Sequence, residues 1–437
     1  MNSELGWRLR RLVHLVRKVS SSVTARGWRG TFKRLQQEHG RLRSASLRTD
    51  ATPLADIPRH APAAGERHRK MLVIDSRAPD PSRDSGSLRL CQMLDLFHQD
   101  GWQIDFFADD GLASAEDIAR LEAVGVHVHR DDPSRWLRRE GDKLDAVLLC
   151  RLPVADLYLP LVRRHAPTAL LVFDTVDLHF LREQRAAELD PHRRLQRHAQ
   201  RSRRRELLAI TRSDLTLVVS EQERDLLAAE LPERRAMVLT NIHPLHDGGD
   251  ASFEARRDLL FIGGFGHPPN ADAVHWFVDE VMPLLRTREP GLILHVAGDI
   301  HEPVRKSLQA ADIRLHGRVP ELAPLMRNSR VSIAPLRFGA GVKGKVNMAM
   351  SYGLPVVATS IAAEGMYLVH RENVLIADGA ANFAAAVLEL YRDEALWRKL
   401  SAGGIANVRN HFSVERARET VQAIGALAMQ HRAARTT

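Results

Sequence analysis

The chain is short of the features that mark several protein classes. It has two cysteines in 437 residues, Cys91 and Cys150. Two cannot make a disulfide framework, they have no metal-ligand spacing, and both stand among apolar residues, so they read as core thiols. No apolar run approaches the roughly 18 residues a membrane span needs. A short apolar core followed by a small-residue cleavage site is also missing, which excludes a secretory signal and leads to the expectation of a cytoplasmic protein. No internal repeat of fixed period is found. The aromatic share of 5% and the apolar share of 44% are ordinary for a globular protein.

What is present in excess is positive charge, and it is local. Residues 1–70 hold 16 Lys and Arg against 5 Asp and Glu, whereas residues 71–437 hold 47 against 49. The arm opens with LGWRLRRLVHLVRKV, in which Leu5, Leu9, Leu12, Val13 and Val16 recur at helical spacing and Arg8, Arg10, Arg11, Arg17 and Lys18 lie elsewhere on the wheel. A helix of this kind can lay the arm, residues 1–43, in an anionic membrane surface at the inner face of the membrane, each cation contributing about 1 kcal/mol. A helix docked on the protein itself and a mobile basic tail are the other readings. Residues 44–69 are rich in Ala and Pro without period and read as a linker. Nucleic acid is not expected as a partner, because no reading module or interleaving of aromatic with basic residues accompanies the charge.

From Lys70 onward, short β-branched or leucine-rich runs alternate with helical pattern. MLVID (71–75), QIDFFA (103–108), VHVH (126–129), AVLLC (146–150), ALLVFD (169–174) and LTLVVS (215–220) form one set. DLLFIGGF (258–265), LILHVAG (292–298), IRLHG (313–317), VSIAPL (331–336), PVVAT (355–359) and NVLIAD (373–378) form a second. Alternation of this kind predicts parallel strands with helical crossovers, hence two doubly wound α/β domains in series. The stretch 240–257, dense in Gly, Pro and Asp, sets their boundary near residue 245. The expected organisation is an arm and linker at 1–69, a first domain at 70–245 and a second at 246–437. The second ends in consecutive helices broken at Gly403–Gly404. Open sheets bind ligands beyond the carboxyl ends of their strands, so two in tandem predict a cleft with one ligand gripped by each side.

The run GAGVKGK (339–345) falls between a strand and the helix VNMAMSYG. Gly339, Gly341 and Gly344 let the backbone turn tightly and approach a ligand, the amides at a helix start attract anions, and Lys343 and Lys345 add full charges. Together these fit a diphosphate; a structural turn with two solvated lysines is the plainer alternative. The same glycines match a dinucleotide fingerprint, which would make the chain an NAD-dependent oxidoreductase. That motif belongs at the first strand-to-helix turn of its domain, with an acid about 20 residues on at a strand end. Here it follows the fourth strand, and Glu364, at the right count, stands in a loop.

The run PLRFGAGVKGKVNMAMSYGLPVVATSIAAEGM resembles the C-terminal domain of the retaining glycosyltransferases of family 4, which have the GT-B fold, especially bacterial members that build surface polysaccharides. FIGGFGHPPNADAVHWFVDEVMP (261–283) and NVLIADGAANFAAAVLELYRD (373–393) resemble the opening and closing segments of that domain. DSRAPDPSRDSGSLRL (75–90) and FDTVDLHFLREQR (173–185) resemble acceptor-side segments of the first. The resemblance covers roughly residues 71–430 and implies transfer of a sugar from a nucleotide-sugar donor to a glycan or lipid-linked acceptor. It implies no metal and no cofactor besides the donor, and no pair of acids has the spacing to clamp a divalent ion. By the same resemblance Gly263, Gly264 and Phe265 lie by the diphosphate, Lys343 with Lys345 or Arg337 neutralises the leaving group, and Arg318 and Val319 neighbour the base.

One departure stands out. The family places two glutamates eight residues apart here, and this chain has Ala340 and Met348. Methionine cannot accept the ribose hydroxyl hydrogen bonds, a loss of about 1.5–3 kcal/mol of donor binding. Glu364 is the nearest substitute, or else it caps the next helix or is solvated. The departure also permits a degenerate protein that binds nucleotide or glycan without turnover.

In the first domain Asp174, Asp177, His179 and Arg182 cluster after a predicted strand, on the side that faces the cleft. Retention lets the departing phosphate take the acceptor proton, so Asp177 and His179 are assigned to orientation; inversion would need Asp84, Asp177 or His179 as base. Asp84, Ser85, Gly86 and Ser87 form a turn whose serines either cap the next helix or lie against the donor phosphates. The arginine-rich stretch 192–206 predicts a long exposed helix, solvated or touching an anionic acceptor.

Overall fold

The computed structural model describes residues 69–81, 84–189, 192–246, 252–300, 302–319 and 321–436. The basic arm up to residue 68, with its membrane expectation, lies outside the described residues.

Two sheets carry the fold. The first contains β1 (Arg69–Asp75), β2 (Trp102–Ala108), β3 (Val126–His129), β4 (Ala146–Cys150), β5 (Leu170–Asp174), β6 (Leu215–Val218) and β7 (Ala236–Val238). Their order is β3-β2-β1-β4-β5-β6-β7. The second contains β8 (Arg257–Ile262), β9 (Leu294–Ala297), β10 (Ile313–Gly317), β11 (Ser329–Ala334), β12 (Val356–Ala358) and β13 (Leu375–Ile376), in the order β10-β9-β8-β11-β12-β13. Every pairing between these strands is parallel. Helices cover both faces, so the strands are apolar throughout rather than alternating. In β1, Met71 and Val73 enter one core while Leu72 and Ile74 enter the other. All twelve predicted strands are present; β7, three half-buried residues long, is too short to show in the sequence.

Strand order reverses between β1 and β4 in the first sheet and between β8 and β11 in the second. These are the positions where crossovers diverge to opposite faces and leave a crevice. The loops after β1 and β11 meet there.

Three sequence expectations need correction. The helix Glu394–His411 runs unbroken through Gly403 and Gly404. These glycines allow close packing: a Cβ on Gly403 would come within 2.3 Å of the Glu372 carbonyl oxygen, and one on Gly404 within 3.0 Å of Met350 Cγ. The last helix, Val414–Thr436, leaves the second lobe and docks on the first. Its Ala417, Val421, Ile424 and Ala428 are buried with the β1, β2 and β4 residues, and Arg432 donates to the Leu144 carbonyl at 2.7 Å. The boundary near residue 245 is thus crossed twice. Finally, Cys150 is buried as expected, but Cys91 is only half-buried.

Candidate active site between the lobes

The glycine-lysine loop faces the first lobe. The loop after β11 leads into the helix Gly344–Ser351, whose N-cap is Lys343; no side chain caps it. Its first amides therefore present donors and the positive end of the helix dipole toward the crevice. Gly341 has φ of 71°, and a Cβ there would stand 3.0 Å from Asp177 Cβ and 3.4 Å from Val219 Cγ2. A Cβ on Gly344 would come within 2.4 Å of Ser85 Cβ. The glycines are required because the loop is pressed against the other lobe. Asn241 reaches across as well, donating to the Val342 carbonyl at 3.4 Å.

Lys343 is buried, and among the described residues its Nζ has no hydrogen-bond partner. Burial pulls its pKa down from 10.5 to about 8, Arg185 adding to the effect and Glu364, Glu223 and Asp177 opposing it. Lys345 is depressed further, to about 7, by burial and by Lys343. Its Nζ sits 4.3 Å above the Phe261 ring and donates to Asn270 Oδ1 at 2.5 Å. Asn270 in turn donates to the Gly264 carbonyl at 2.9 Å and would be struck by a Cβ on Gly263. One asparagine therefore links the loop after β8 to the second lysine. Phe265, expected beside the diphosphate, is instead buried against Phe261 in the second-lobe core, where the ring has no surface to offer a ligand.

From the first lobe, Asp84 rather than a serine caps the helix Ser85–Gln99, accepting from the Ser87 amide at 2.8 Å. Gly86 lies where a Cβ would stand 3.0 Å from Val176 Cγ1. Val176 and Arg151 adopt φ of 64° and 74°, strained for non-glycine residues, at the ends of β5 and β4. Arg151 is held there by Asp75 at 3.0 Å.

Asp174 is structural: it is fully buried and paired with Arg89 at 2.7 Å. Asp177 behaves differently. Burial works against its charge, but Arg182, His179 and His267 outweigh this and hold the carboxyl at about 2. His179 Nδ1 lies 3.6 Å from Asp177 Oδ1 and 3.3 Å from Glu206 Oε1. Burial opposes protonation of His179, yet these two acids raise its pKa above 6.5. Burial and then Arg182 lower His267 to about 4.

Other expected residues are engaged elsewhere. Arg337 is not free to neutralise a leaving group, because Asp272 takes its guanidinium. Arg318 crosses the cleft to Asp80 at 2.9 Å, with Val319 half-buried beside it in the chain. Glu364 is half-buried and is not a helix N-cap: both its oxygens accept from Arg185, at 2.5 and 2.6 Å. Met348 packs against the second-lobe core. Arg185, Glu206, Glu223 and Asn270 join the site without a motif of their own in the sequence. Glu206 hid in the arginine-rich stretch, now the helix Arg193–Arg212, from whose buried side it accepts from the backbone of His179 and Phe180. Glu223 is buried and raised to about 7 by burial and by Asp177, while accepting from the Val219 and Leu178 amides. Among the described residues, the one His/Asp grouping close enough to hold a metal is Asp105, His127 and His129, on strands β2 and β3 at the sheet edge. Within it, His129 and Asp105 already pair at 2.6 Å.

Residues 256–393 match the family model described as Glycosyl transferases group 1. A protein in the cps region of Klebsiella pneumoniae, 44.6 kDa and uncharacterised, is 25% identical over 164 residues, which is 36% of this chain and 42% of that protein. The sucrose-phosphate synthase of Thermosynechococcus elongatus superposes with a TM-score of 0.62 at 15% identity, over 84% of this chain and 100% of that one. Anabaena HepE in complex with UDP and glucose gives 0.61 at 14% identity, over 82% and 100%. Parallel sheets of seven and six strands in two lobes between which the chain passes twice, with the glycine-lysine loop facing the opposite lobe, give this chain the GT-B fold, and residues 256–393 of its second lobe match Glycosyl transferases group 1.

Proposed function

We propose that the protein is a glycosyltransferase: it takes a sugar from a nucleotide-sugar held by the second lobe and passes it to a glycan or lipid-linked acceptor at the first, with retention and without a metal. The observation that carries this reading is Lys343, a buried ammonium without a partner among the described residues, at the N-cap of an uncapped helix where the two lobes meet. A nucleoside diphosphate leaves with negative charge growing on its outer phosphate. Fixed cations and amide donors aimed at that charge stabilise the transition state more than the ground state. Lys343 and Lys345 supply the cations, and an incoming dianion restores the proton affinity that burial takes from them.

The first-lobe cluster fits orientation better than proton abstraction. A base needs a pKa near the working pH. Asp177 is held at about 2, His179 has its pKa raised by the acids beside it against burial, which favours its protonated form, His267 at about 4 is a weak base, and Asp84 is occupied as a helix cap. Glu223, the acid of this cluster near 7, is buried with both oxygens accepting from the Val219 and Leu178 amides, which leaves the departing phosphate oxygen as the acceptor of the nucleophile's proton and suits retention. The UDP and glucose of the HepE complex support a uridine nucleotide as the first donor to try. The cps-region relative fits a surface polysaccharide as product.

Release of nucleoside diphosphate from a panel of nucleotide-sugars, with a glycan acceptor mixture, tests the assignment. Turnover that Lys343→Ala lowers at least a hundredfold is the expected result. Silence with every donor while nucleotide binding persists would favour a non-catalytic binder, the reading that Met348 invites. Absorbance-detected nicotinamide turnover would revive the oxidoreductase alternative. The membrane role of the arm is tested by deleting residues 1–69, which should abolish sedimentation with anionic liposomes.

A further inference from the structure

In the closed cleft the positive site already holds an anion, and that anion belongs to the protein. Arg185, on the first-lobe helix His179–Leu189, spans the interface with one guanidinium. Its Nη1 donates to the Gly339 carbonyl at 2.7 Å and to Glu364 Oε2 at 2.5 Å, and its Nη2 donates to Glu364 Oε1 at 2.6 Å. Glu364 is also the largest attraction that offsets the burial of Lys343, and Arg185 is the largest repulsion. One carboxylate thus neutralises a guanidinium from one lobe and faces an ammonium from the other.

A guanidinium fork binds phosphate oxygens in the same two-pronged geometry as carboxylate oxygens. Lys343 and Arg185 repel each other across a low-dielectric gap, so some anion has to stand between them. Glu364 is the more exposed member of the pair. Glu364 follows the four-residue helix Ser360–Ala363, its side chain is about one-third exposed, and Gly365 beside it has φ of 73°. Arg185 is more deeply set and is tied to the glycine loop by its bond to Gly339.

Building on the donor reading above, we propose that Arg185 is a diphosphate ligand contributed by the first lobe, and that Glu364 is a stand-in anion which the donor diphosphate displaces. The empty site is kept closed and electrically balanced by Glu364, and the donor enters by exchange of one anion for another. This also accounts for Glu364 at a site that lacks the acid expected at Met348: its oxygens are engaged by Arg185 and are not offered to a ribose.

Calorimetric titration of the full chain with inorganic pyrophosphate, UDP, GDP and ADP tests this, on wild type, Lys343→Ala, Arg185→Ala, Arg185→Lys and Glu364→Gln. Glu364→Gln should bind the preferred diphosphate three- to tenfold more tightly, because the competing charge is gone. Arg185→Ala should bind it tenfold or more weakly, with Arg185→Lys in between. In the Arg185→Ala background most of the gain from Glu364→Gln should vanish. Unchanged or weaker binding in Glu364→Gln, or unchanged binding in Arg185→Ala, overturns the proposal. Wild-type affinity in Lys343→Ala overturns the diphosphate site itself, and so does a wild type that binds none of the four. Thermal melts of each variant separate a folding defect from a binding one. Should Arg185→Ala fail to fold, Glu364→Gln alone decides.

Discussion

Replacing Lys343 with methionine should make the empty protein more stable while removing its donor site. The residue is 7% exposed, and its Nζ has no hydrogen-bond partner among the described residues. Burial, partly offset by Glu364, lowers its pKa from 10.5 to about 8. At 1.36 kcal/mol per tenfold change in proton affinity, holding the ammonium in the folded chain costs about 3 kcal/mol at neutral pH. The sign follows from proton counting. Between pH 8 and 10.5 the unfolded lysine keeps its proton and the folded one has lost it, so wild-type stability rises with pH across that window. Methionine keeps most of the volume and no charge, and replacing buried ions with apolar isosteres is often stabilising. Urea denaturation of Lys343→Met should therefore show a gain of about 1–3 kcal/mol at pH 7 that fades as pH approaches 10. The same variant should bind nucleoside diphosphate at least tenfold more weakly. A variant less stable than wild type at pH 7, or a gain independent of pH, refutes the description of Lys343 as a strained, uncompensated cation. The site then exchanges stability for function, as binding sites commonly do.

Arg337→Ala should change diphosphate affinity less than twofold, measured by calorimetry, because Asp272 already occupies that guanidinium at a well-exposed position. His179 should titrate above 6.5 by NMR, held up by Asp177 and Glu206 against burial. Its contribution to stability should be full below 6.5 and lost as pH rises through the folded value, a dependence that His179→Gln should flatten. Ile424→Ala should destabilise the protein by about 2–4 kcal/mol in urea, the usual range for a large-to-small change in a packed core. It should lower the melting temperature of the first lobe, because Ile424 is buried among first-lobe residues.

The sheets were legible because parallel strands buried on both faces leave uninterrupted apolar runs. AVLLC is all core in the structure, with Ala146, Leu148 and Cys150 on one side and Val147 and Leu149 on the other. The glycine-lysine loop was legible for a related reason: glycine followed by lysine at a strand-to-helix junction is costly unless something needs bare backbone and charge together. What pressed on those glycines was not legible. Asp177, Val219 and Ser85 come from positions 122 or more residues earlier in the chain, and no local pattern encodes their approach to Gly341 and Gly344. The destination of the last helix escaped for the same reason, since its apolar stripe says that it docks and not on which lobe. Glu364 and Arg185 show the limit most sharply. Each looks like a solvated charge in its own segment, and only the meeting of the lobes makes them a pair. That meeting ties closure of the cleft to its electrostatics: a carboxylate and a guanidinium that face each other only when the lobes are together favour the closed form, and a diphosphate competing for the same guanidinium takes over that clasp as it binds.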